Sequence, residues 1–353
     1  MAKEITRGRT TIRDVSRLAD VSVATVSAVI NGKPPVSEEL TRRVRHAIEA
    51  LNYQPDFLAR SLRMQRSHIL GIVMPQFASS YYAEVLRGVE DVASRHGYSI
   101  LVSNSRGDAE QERKEIFALI SRRVDGILLA TADPHFAYQR QFTSRFPLVL
   151  FDRYPPAFAG TVVATDNEGA SFEATNHLIR LGHLRIAIIA GKRGISAADE
   201  RVEGFRRAMS DAGLAIRPEF LKHGDFNMKG GWECALELIK LPSPPTAIFS
   251  HNYEMTLGLM RALSEIGVPC PQQVSILGFD DFVVGTDGFS WATMFSPKLT
   301  CVAQPSYEIG QRAAEALMKK TERLDGDDLG EENFIRLPAE LRIRESTAPP
   351  PSL

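Results

Sequence analysis

Two neighbouring carboxylates, Asp280 and Asp281, follow the apolar run VSILGF, and such a pair could serve as general acid and base. The run has the length and the apolar composition of a buried strand. Side chains of adjacent strand residues point to opposite faces, so these two carboxylates would not reach one reacting atom. The pattern therefore favours separate roles for the two residues over joint catalysis.

The other residues that could do enzyme chemistry also lack the required spacing. His177 and His183 are six positions apart, which does not stack them on one helix face, and no third metal ligand is near in sequence. GKRG, beginning at Gly191, lacks the spacing of a phosphate-binding loop, and no G-x-S-x-G motif occurs. We therefore predict no catalytic residue, no metal and no cofactor, and we expect a binding protein rather than an enzyme.

Composition and charge indicate a globular protein with one basic end. The 353 residues can form two or three domains, and the apolar runs are far shorter than a membrane span. The first residues, MAKEITRGRT, lack an apolar secretory signal, and three scattered cysteines suit neither a disulfide framework nor a zinc site: Cys234, Cys270 and Cys301. We expect a cytoplasmic protein without membrane contact. Residues 1–66 hold twelve Lys/Arg against seven Asp/Glu, whereas the remainder holds 30 against 36, so the basic end is the candidate for binding a polyanion.

Three short helices are predicted in this basic end. Thr11 can cap the first helix, with Asp14 in a capping-box position and an apolar face of Val15, Leu18 and Ala19. Asp20 tolerates the left-handed turn that must follow. Ser22 can cap a second helix that ends at Asn31-Gly32, and Ser37 a third that ends before Asn52. This order is typical of a helix-turn-helix unit, although a plain three-helix bundle would show the same pattern.

The exposed remainder of the second helix distinguishes the two interpretations. Its small, uncharged side chains include Ala24, Thr25, Ser27 and Ala28, and arginines surround it in the sequence: Arg13, Arg17, Arg42, Arg43 and Arg45. Small side chains let a helix lie deep in a major groove while arginines bind phosphates.

The stretch TIRDVSRLADVSVATVSAVINGKPPVSEELTRRVRHAIEALNYQPDFLARSLR resembles the DNA-binding head and hinge of the lactose-repressor (LacI/GalR) family of bacterial transcription regulators. The resemblance implies that Val23, Ala24 and Ala28 read base edges. It implies DNA contacts for the rest of the capping and recognition segment, namely Thr11, Ser22, Thr25, Ser27 and Asn31. Two residues depart from the family pattern: Ala28 stands where an arginine is common, and Asp20 replaces a turn glycine.

YQPDFLARSLR has helical propensity but is too short to be stable alone, so a flexible spacer is an alternative to a helix. The family resemblance implies a hinge helix that orders against DNA and a partner copy, with Leu62 inserted between base pairs in the minor groove. We therefore divide the chain into a helix-turn-helix domain at 9–54, a hinge at 55–66, a core at 67–345 and a disordered Pro-rich tail at 346–353.

From His68 onward, short apolar runs alternate with amphipathic segments. ILGIVMP, SILVSNS, DGILLAT and PLVLFDR form one set, and RIAIIAG, TAIFSHN and VSILGFDD form a second. Such alternation predicts βα units on parallel sheets, and two sets predict two Rossmann-like lobes with a ligand cleft at the carboxyl ends of their strands. This body is similar to the periplasmic-binding-protein-like core of the same family.

The same resemblance implies an effector site in the cleft. Tyr81 and Tyr82 correspond to aromatic residues that line it, and the remaining predicted site residues are Arg201, Phe226, Asn252 and Asp280, with Gln304 as a further candidate. A carboxylate, a guanidinium fork and an aromatic face together suit a sugar. Phe226 could equally be a core aromatic. Tyr253 stands where the family commonly has Asp, and the segment 282–295 is longer than usual.

We therefore expect a homodimeric transcriptional regulator, a repressor of a carbohydrate-utilisation operon, that binds a near-palindromic double-stranded DNA operator and a small sugar or sugar-derived effector. The alternative is a cytoplasmic sugar-binding module without specific operator binding. Whether the effector releases or recruits DNA binding stays open. The Pro- and Ser-rich end of the chain favours a dimer over a tetramer.

Overall fold

A computed structural model describes residues 10–30, 36–53, 66–136, 146–284, 288–322 and 334–351. The chain separates into two compact units, residues 1–67 and 68–353. Leu62, Asn31 and all of the predicted hinge except Arg66 lie outside the described residues.

The small unit contains helices α1 (Ile12–Ala19), α2 (Val23–Ile30) and α3 (Glu38–Ala50). Thr11 and Asp14 form the predicted capping box, with the Asp14 carboxylate accepting from the Thr11 N–H at 2.9 Å. Asp20 adopts the predicted left-handed conformation, with φ 49° and ψ 54°. Ser37 caps α3 by accepting from the Leu40 N–H. The predicted helix starts are therefore confirmed.

The core of this unit is formed by residues at helical spacing from all three helices: Val15, Ala19, Val26, Val44 and Ala47. The prediction that Leu18 belongs to this core is wrong, because its side chain is 53% exposed. Ile12, seven residues before Ala19, packs against the core. The buried face of α1 is therefore formed by Ile12, Val15 and Ala19, and Leu18 lies about 100° around the helix from Ala19, which turns it toward solvent.

The large unit consists of two α/β lobes. The first lobe has a six-stranded parallel sheet in the order β13-β5-β4-β3-β1-β2. Its strands are β1 (Ile69–Met74), β2 (Ser99–Asn104), β3 (Gly126–Leu129), β4 (Leu148–Phe151), β5 (Thr161–Thr165) and β13 (Phe334–Leu337). Helices α4 (Ser80–Arg95) and α10 (Ser306–Glu322) cover one face of the sheet, and α5 (Ala109–Ser121) covers the other.

The second lobe has a six-stranded sheet in the order β14-β12-β9-β8-β6-β7, parallel except for β14. Its strands are β6 (Ile186–Ala190), β7 (Leu221–His223), β8 (Ala247–Ser250), β9 (Ser275–Phe279), β12 (Thr300–Ala303) and β14 (Glu340–Arg342). Helices α6 (Asn167–Arg180) and α7 (Ser196–Asp211) cover one face, and α8 (Met228–Ile239) and α9 (Tyr253–Glu265) the other. The predicted fold class is confirmed.

The chain crosses between the lobes more often than two successive sets of βα units require. It passes from the first lobe to the second after β5, returns after β12 to form α10 and β13, and crosses again to form β14. Helix α10 then packs closely on α4, because Gly88 and Gly310 each face the backbone of the other helix. A Cβ at either glycine would overlap a carbonyl oxygen, at Tyr307 or Val85.

The prediction of a disordered tail at 346–353 is wrong for residues 346–351. Ser346 is fully buried; its hydroxyl donates to the Ile276 carbonyl at 2.6 Å and accepts from the Thr300 N–H at 2.8 Å. The Ala348 N–H donates to Ser275 Oγ at 3.1 Å. Polar groups rather than apolar periodicity hold this segment, so its composition gave no sign of order.

The two histidines that were excluded as metal ligands fix this C-terminal segment. His183 is 1% exposed; its Nε2 donates to the Ala348 carbonyl at 2.8 Å and its Nδ1 lies 2.9 Å from Thr246 Oγ1. His177 lies 3.0 Å from the Thr347 hydroxyl. Burial lowers the pKa of both histidines. Their role is structural.

The long segment after Asp281 contains a short hairpin of β10 (Val283–Val284) and β11 (Phe289–Ser290). Over the residues that the structure describes, no helix is long and apolar enough to cross a membrane. Within those same residues, no cluster of three or more His, Cys, Asp or Glu side chains is placed to hold a metal ion.

Candidate functional site

A small cleft lies between the two lobes, and all six predicted effector residues line it. Its free volume is about 50 Å³. The lining residues include Tyr81, Tyr82, Arg201, Phe226, Asn252 and Asp280, together with Gln76, Ser79, Asp152, Arg153, Ala197, Tyr253, Glu254 and Gln304. Residues more than 200 positions apart in sequence therefore meet in one place, as the doubly wound lobes require.

Tyr81 and Tyr82 contribute the aromatic part of the first lobe. They lie in the first turn of α4, are 6% and 4% exposed, and meet edge to face with ring centroids 5.1 Å apart. The Tyr82 hydroxyl donates to Asp152 Oδ2 at 2.5 Å. The Tyr81 hydroxyl is buried and has no hydrogen-bond partner among the described residues. A buried polar group of this kind needs a ligand or a water molecule as its partner.

Arg201 is the central cation of the second lobe. Its Nε donates to Asn167 Oδ1 at 2.8 Å, its Nη1 donates to the His251 carbonyl at 2.5 Å, and its guanidinium lies 3.7 Å from the Phe279 ring centroid. Burial lowers its pKa, whereas the carboxylates of Asp280 and Asp152 oppose that effect. These three contacts hold the guanidinium of Arg201 in one plane. A guanidinium held in this way can donate two parallel hydrogen bonds to hydroxyl or carboxylate oxygens.

Asp280 and Asp281 have different environments, as their adjacent positions predicted. Asp280 accepts from Gln304 Nε2 at 2.5 Å and from the Tyr253 N–H at 3.3 Å, and burial raises its pKa against the opposing effect of Arg201. Asp281 accepts instead from Arg342 and Arg344, at 3.2 and 2.5 Å. Only Asp280 lines the cleft, so the two carboxylates do not act on one atom.

Asn252 and Phe226 have structural contacts in addition to lining the cleft. Asn252 caps α9 through its Oδ1, which accepts from the Met255 N–H at 2.9 Å, and its Nδ2 donates to the Phe226 carbonyl at 3.2 Å. The Phe226 ring packs closely over Gly191, and the Arg153 guanidinium lies 5.4 Å from its centroid. Phe226 also packs against the core of the second lobe, so both of its proposed roles have contacts that support them.

Three residues that line this cleft have a strained backbone conformation. Asp152, Phe226 and Asp280 all have positive φ, at 61°, 60° and 74°. Non-glycine residues rarely adopt this conformation, which is least favourable for a bulky side chain such as phenylalanine. Residues held in such regions cost about 1–3 kcal/mol each and occur preferentially at functional sites.

Sequence reasoning missed several lining residues. Asp152 and Arg153 follow β4 as Asp280 follows β9, and this equivalence of strand ends could have identified them. Burial alone would lower the pKa of Arg153, but Tyr82 and Asp152 raise it overall. Gln76 and Glu254 come from opposite lobes, and the Gln76 amide donates to Glu254 at 2.9 Å. Burial raises the pKa of Glu254.

In the small unit, the predicted DNA-reading residues are accessible. Thr11, Ser22, Val23 and Ala24 are exposed, while the others are partly exposed: Thr25, Ser27 and Ala28. Ser22 Oγ accepts from the Thr25 N–H at 3.0 Å, which fixes the start of α2. The accessible surface of α2 therefore carries uncharged side chains, most of them small.

Arg43 has a different role from the predicted phosphate contact. Its Nε donates to the Ala19 carbonyl at 3.0 Å, and its Nη2 donates to the Asp20 carbonyl and carboxylate at 2.9 and 3.2 Å. These bonds satisfy carbonyl groups at the end of α1 and support the left-handed Asp20. Arg42 and Arg45 remain exposed on α3.

Two family models match the chain in the same arrangement. Residues 11–56 match bacterial regulatory proteins of the lacI family, and residues 67–339 match the periplasmic binding proteins and sugar binding domain of the LacI family. The chain belongs to the LacI family. Members of this family are DNA-binding transcriptional regulators with a sugar-binding type of core, and the family assignment predicted from the head and core is confirmed.

Individual relatives agree with this assignment. The ribose operon repressor of Escherichia coli (strain K12) is 36% identical over 88% of this LacI-family chain and 92% of its own length. Catabolite control protein A of Priestia megaterium is 33% identical over 96% of this chain and 99% of its own. Among solved structures, the lac repressor dimer bound to operator and the anti-inducer ONPF matches 97% of this chain and 100% of its own, with a TM-score of 0.84 and 25% identity.

Proposed function

We propose that this LacI-family protein is a cytoplasmic, sequence-specific repressor of a carbohydrate-utilisation operon and that a small sugar in the interlobe cleft controls its affinity for DNA. The observation that carries the proposal is the convergence of Tyr81, Arg201, Phe226 and Asp280 on one cleft with strained backbone. Tyr81 supplies a hydroxyl without a protein partner among the described residues, and Arg201 supplies an oriented guanidinium. Asp280 supplies an acceptor for sugar hydroxyls.

A monosaccharide is the effector class that these groups suit best. The free volume of about 50 Å³ favours a small molecule over a larger one. The aromatic rings of Tyr81 and Phe226 can cover the apolar face of a sugar ring, while Asp280 and Arg201 bind its edge. D-Ribose is the first sugar to test, because the ribose operon repressor of Escherichia coli is among the most similar relatives.

DNA recognition is assigned to α2 and the residues around it. Val23 and Ala24 at the exposed start of α2 would contact base edges in the major groove, and Ala28 would give at most an apolar contact to a thymine methyl group. Exposed Arg13, Arg17, Arg42 and Arg45 would bind phosphates, so affinity should fall steeply as salt concentration rises.

A homodimer would place two such heads on a near-palindromic site. The similarity to the lac repressor dimer bound to operator supports this part of the proposal. We expect the second copy to cover an apolar groove in the second lobe, lined by α9 and the segment before β12, with a volume of about 590 Å³. Its apolar lining residues include Leu257, Met260, Phe295 and Pro297. We expect light scattering to give twice the 39.1 kDa chain mass, and Met260→Glu to give a monomer.

Titration calorimetry of the purified protein with D-ribose, a hexose and D-ribose 5-phosphate tests the effector assignment. The proposal predicts binding of at least one of the free sugars and loss of that binding in Asp280→Ala. If none of the sugars binds the folded protein, the sugar effector is refuted. DNA binding by a protein that responds to no sugar would leave the repressor assignment standing with a different effector class.

A further inference from the structure

Tyr154 connects the two lobes outside the cleft. It follows β4 of the first lobe, and its hydroxyl donates to Glu200 on α7 of the second lobe. Its backbone N–H also donates across the lobes, to Ser196 Oγ at 3.1 Å. Arg336, on β13 of the first lobe, donates to the same carboxylate of Glu200 at 3.3 Å. None of these four residues is among those that line the cleft.

The surroundings of Tyr154 favour this arrangement. Its ring meets Phe334 edge to face with centroids 4.9 Å apart, and the Arg336 guanidinium lies 4.7 Å above the same Phe334 ring. Burial and the neighbouring Glu200 carboxylate raise the pKa of Tyr154, so its hydroxyl stays protonated and can donate. The Glu200 side chain is only 19% exposed, and hydrogen bonds to a partly buried carboxylate are stronger than those between neutral groups.

Asn167 links this group of contacts to the cleft arginine. It is the first residue of α6, directly after the chain leaves the first lobe, and it is 1% exposed. Its Nδ2 donates to Glu200 Oε2 at 3.2 Å, and its Oδ1 accepts from Arg201 Nε at 2.8 Å. A carboxylate can only accept and a guanidinium can only donate, so the two ends of the amide match their partners.

We propose that Tyr154, Glu200 and Arg336 form an interlobe lock, and that Asn167 is a positioning residue that couples this lock to Arg201. The inference rests on the proposed role of Arg201 in effector binding. When an effector holds Arg201, the same amide that orients the guanidinium also orients Glu200 toward its partners in the first lobe. Effector binding and lobe closure therefore favour each other.

Hydrogen exchange of the ligand-free, full-length protein tests the lock without any effector. The reporter is the Tyr154 amide, which crosses the lobes to Ser196, in peptides spanning residues 150–160. Tyr154→Phe should speed exchange at this amide at least tenfold. The matched control is Tyr307→Phe, because the Tyr307 hydroxyl donates to Asp91 at 2.5 Å, a contact between α10 and α4 within the first lobe. Equal exchange in the two variants overturns the lock.

Titration with D-ribose tests the coupling. Removing the lock lowers the population of closed, binding-competent protein, so Tyr154→Phe should weaken D-ribose binding about tenfold while Tyr307→Phe stays within about twofold. In an Asn167→Ala background, adding Tyr154→Phe should change the affinity less than about twofold, because the route to Arg201 is already cut.

Glu200→Gln keeps an acceptor for Tyr154 and should retain slow exchange, which Glu200→Ala should not. Full additivity of Asn167→Ala and Tyr154→Phe in D-ribose affinity contradicts a role for Asn167 as the link. If the unaltered protein gives no heat with D-ribose, that result counts against the ribose assignment. In that case Asn167→Ala and Tyr154→Phe are compared through hydrogen exchange at the residue 154 amide. Asn167→Ala must also accelerate this exchange for the link to stand.

Discussion

Replacement of Arg201 gives the sharpest test of how the cleft is built. Arg201→Ala removes two hydrogen bonds of a buried cation, to Asn167 at 2.8 Å and to the His251 carbonyl at 2.5 Å, and the contact with the Phe279 ring. Each charge-assisted bond contributes about 1.5–3 kcal/mol. Part of that loss is offset because no guanidinium has to be desolvated, so we expect the free energy of unfolding to fall by about 2–4 kcal/mol.

Arg201→Ala should also weaken effector binding. The loss of a single charge-assisted bond to the ligand, about 1.5–3 kcal/mol, corresponds to roughly 10–150-fold weaker binding. Calorimetry with D-ribose measures this loss, and urea unfolding shows that the variant is folded. Arg201→Lys should recover stability better than binding, because an ammonium keeps the charge but loses the fork.

A matched control exists in the same lobe. Arg217 also donates to a carbonyl, that of Ser243 at 3.1 Å, and lies 5.1 Å from the centroid of the Phe220 ring, but it does not line the cleft. Arg217→Ala should therefore lower stability without changing D-ribose affinity by more than about twofold. Folded Arg201→Ala protein that binds the sugar as tightly as Arg217→Ala would refute the assignment of Arg201 to the effector.

Three further predictions concern stability. Burial lowers the pKa of His251 well below its ordinary value, so the folded state resists protonation of this side chain. The unfolded chain takes up the proton below pH ~6.5. The free energy of unfolding is therefore unaffected above that pH and falls as the pH drops below it. The urea midpoint should drop from pH 7.5 to pH 5.5, and this drop should be smaller in His251→Phe; an unchanged pH dependence contradicts the reasoning. Deletion of residues 346–353 should lower the free energy of unfolding by about 2–4 kcal/mol, because several hydrogen bonds of about 1 kcal/mol each are lost. A urea midpoint within error of the intact chain would show that the segment contributes nothing. Arg43→Ala should lower the thermal midpoint of the small unit, followed by near-ultraviolet circular dichroism, because the carbonyls of Ala19 and Asp20 lose their donor, and no change would mean that solvent satisfies them equally well.

Features set by local sequence were predictable. The capping box of Thr11 and Asp14 and the left-handed Asp20 depend on residues within one turn of each other, so their pattern is visible in the chain. The strand ends that carry Asp280 were equally visible, because a polar residue after an apolar run marks the carboxyl edge of a parallel sheet. The assignment of the cleft residues, Asp280 among them, came from the resemblance to a known family.

Features set by contacts between distant segments were not predictable in the same way. The burial of Ser346 depends on Ile276 and Thr300, and a Pro-rich composition gives no sign of such polar pairing. The basic sequence neighbours of Arg43 predict a phosphate contact, whereas its partners in the structure lie 23 and 24 positions away at the end of α1. Local charge indicates a surface but cannot identify which carbonyl group a long side chain reaches.

The central claim is that a sugar in the core controls specific DNA binding by the head. The most direct measurement incubates the purified full-length protein with fragmented DNA of its source genome, with and without D-ribose, and sequences the fragments that it retains. We predict enrichment of a discrete near-palindromic site beside an operon and a change in that enrichment when D-ribose is present. Retention without any preferred site in both conditions would contradict the account and favour a sugar-binding module without operator recognition.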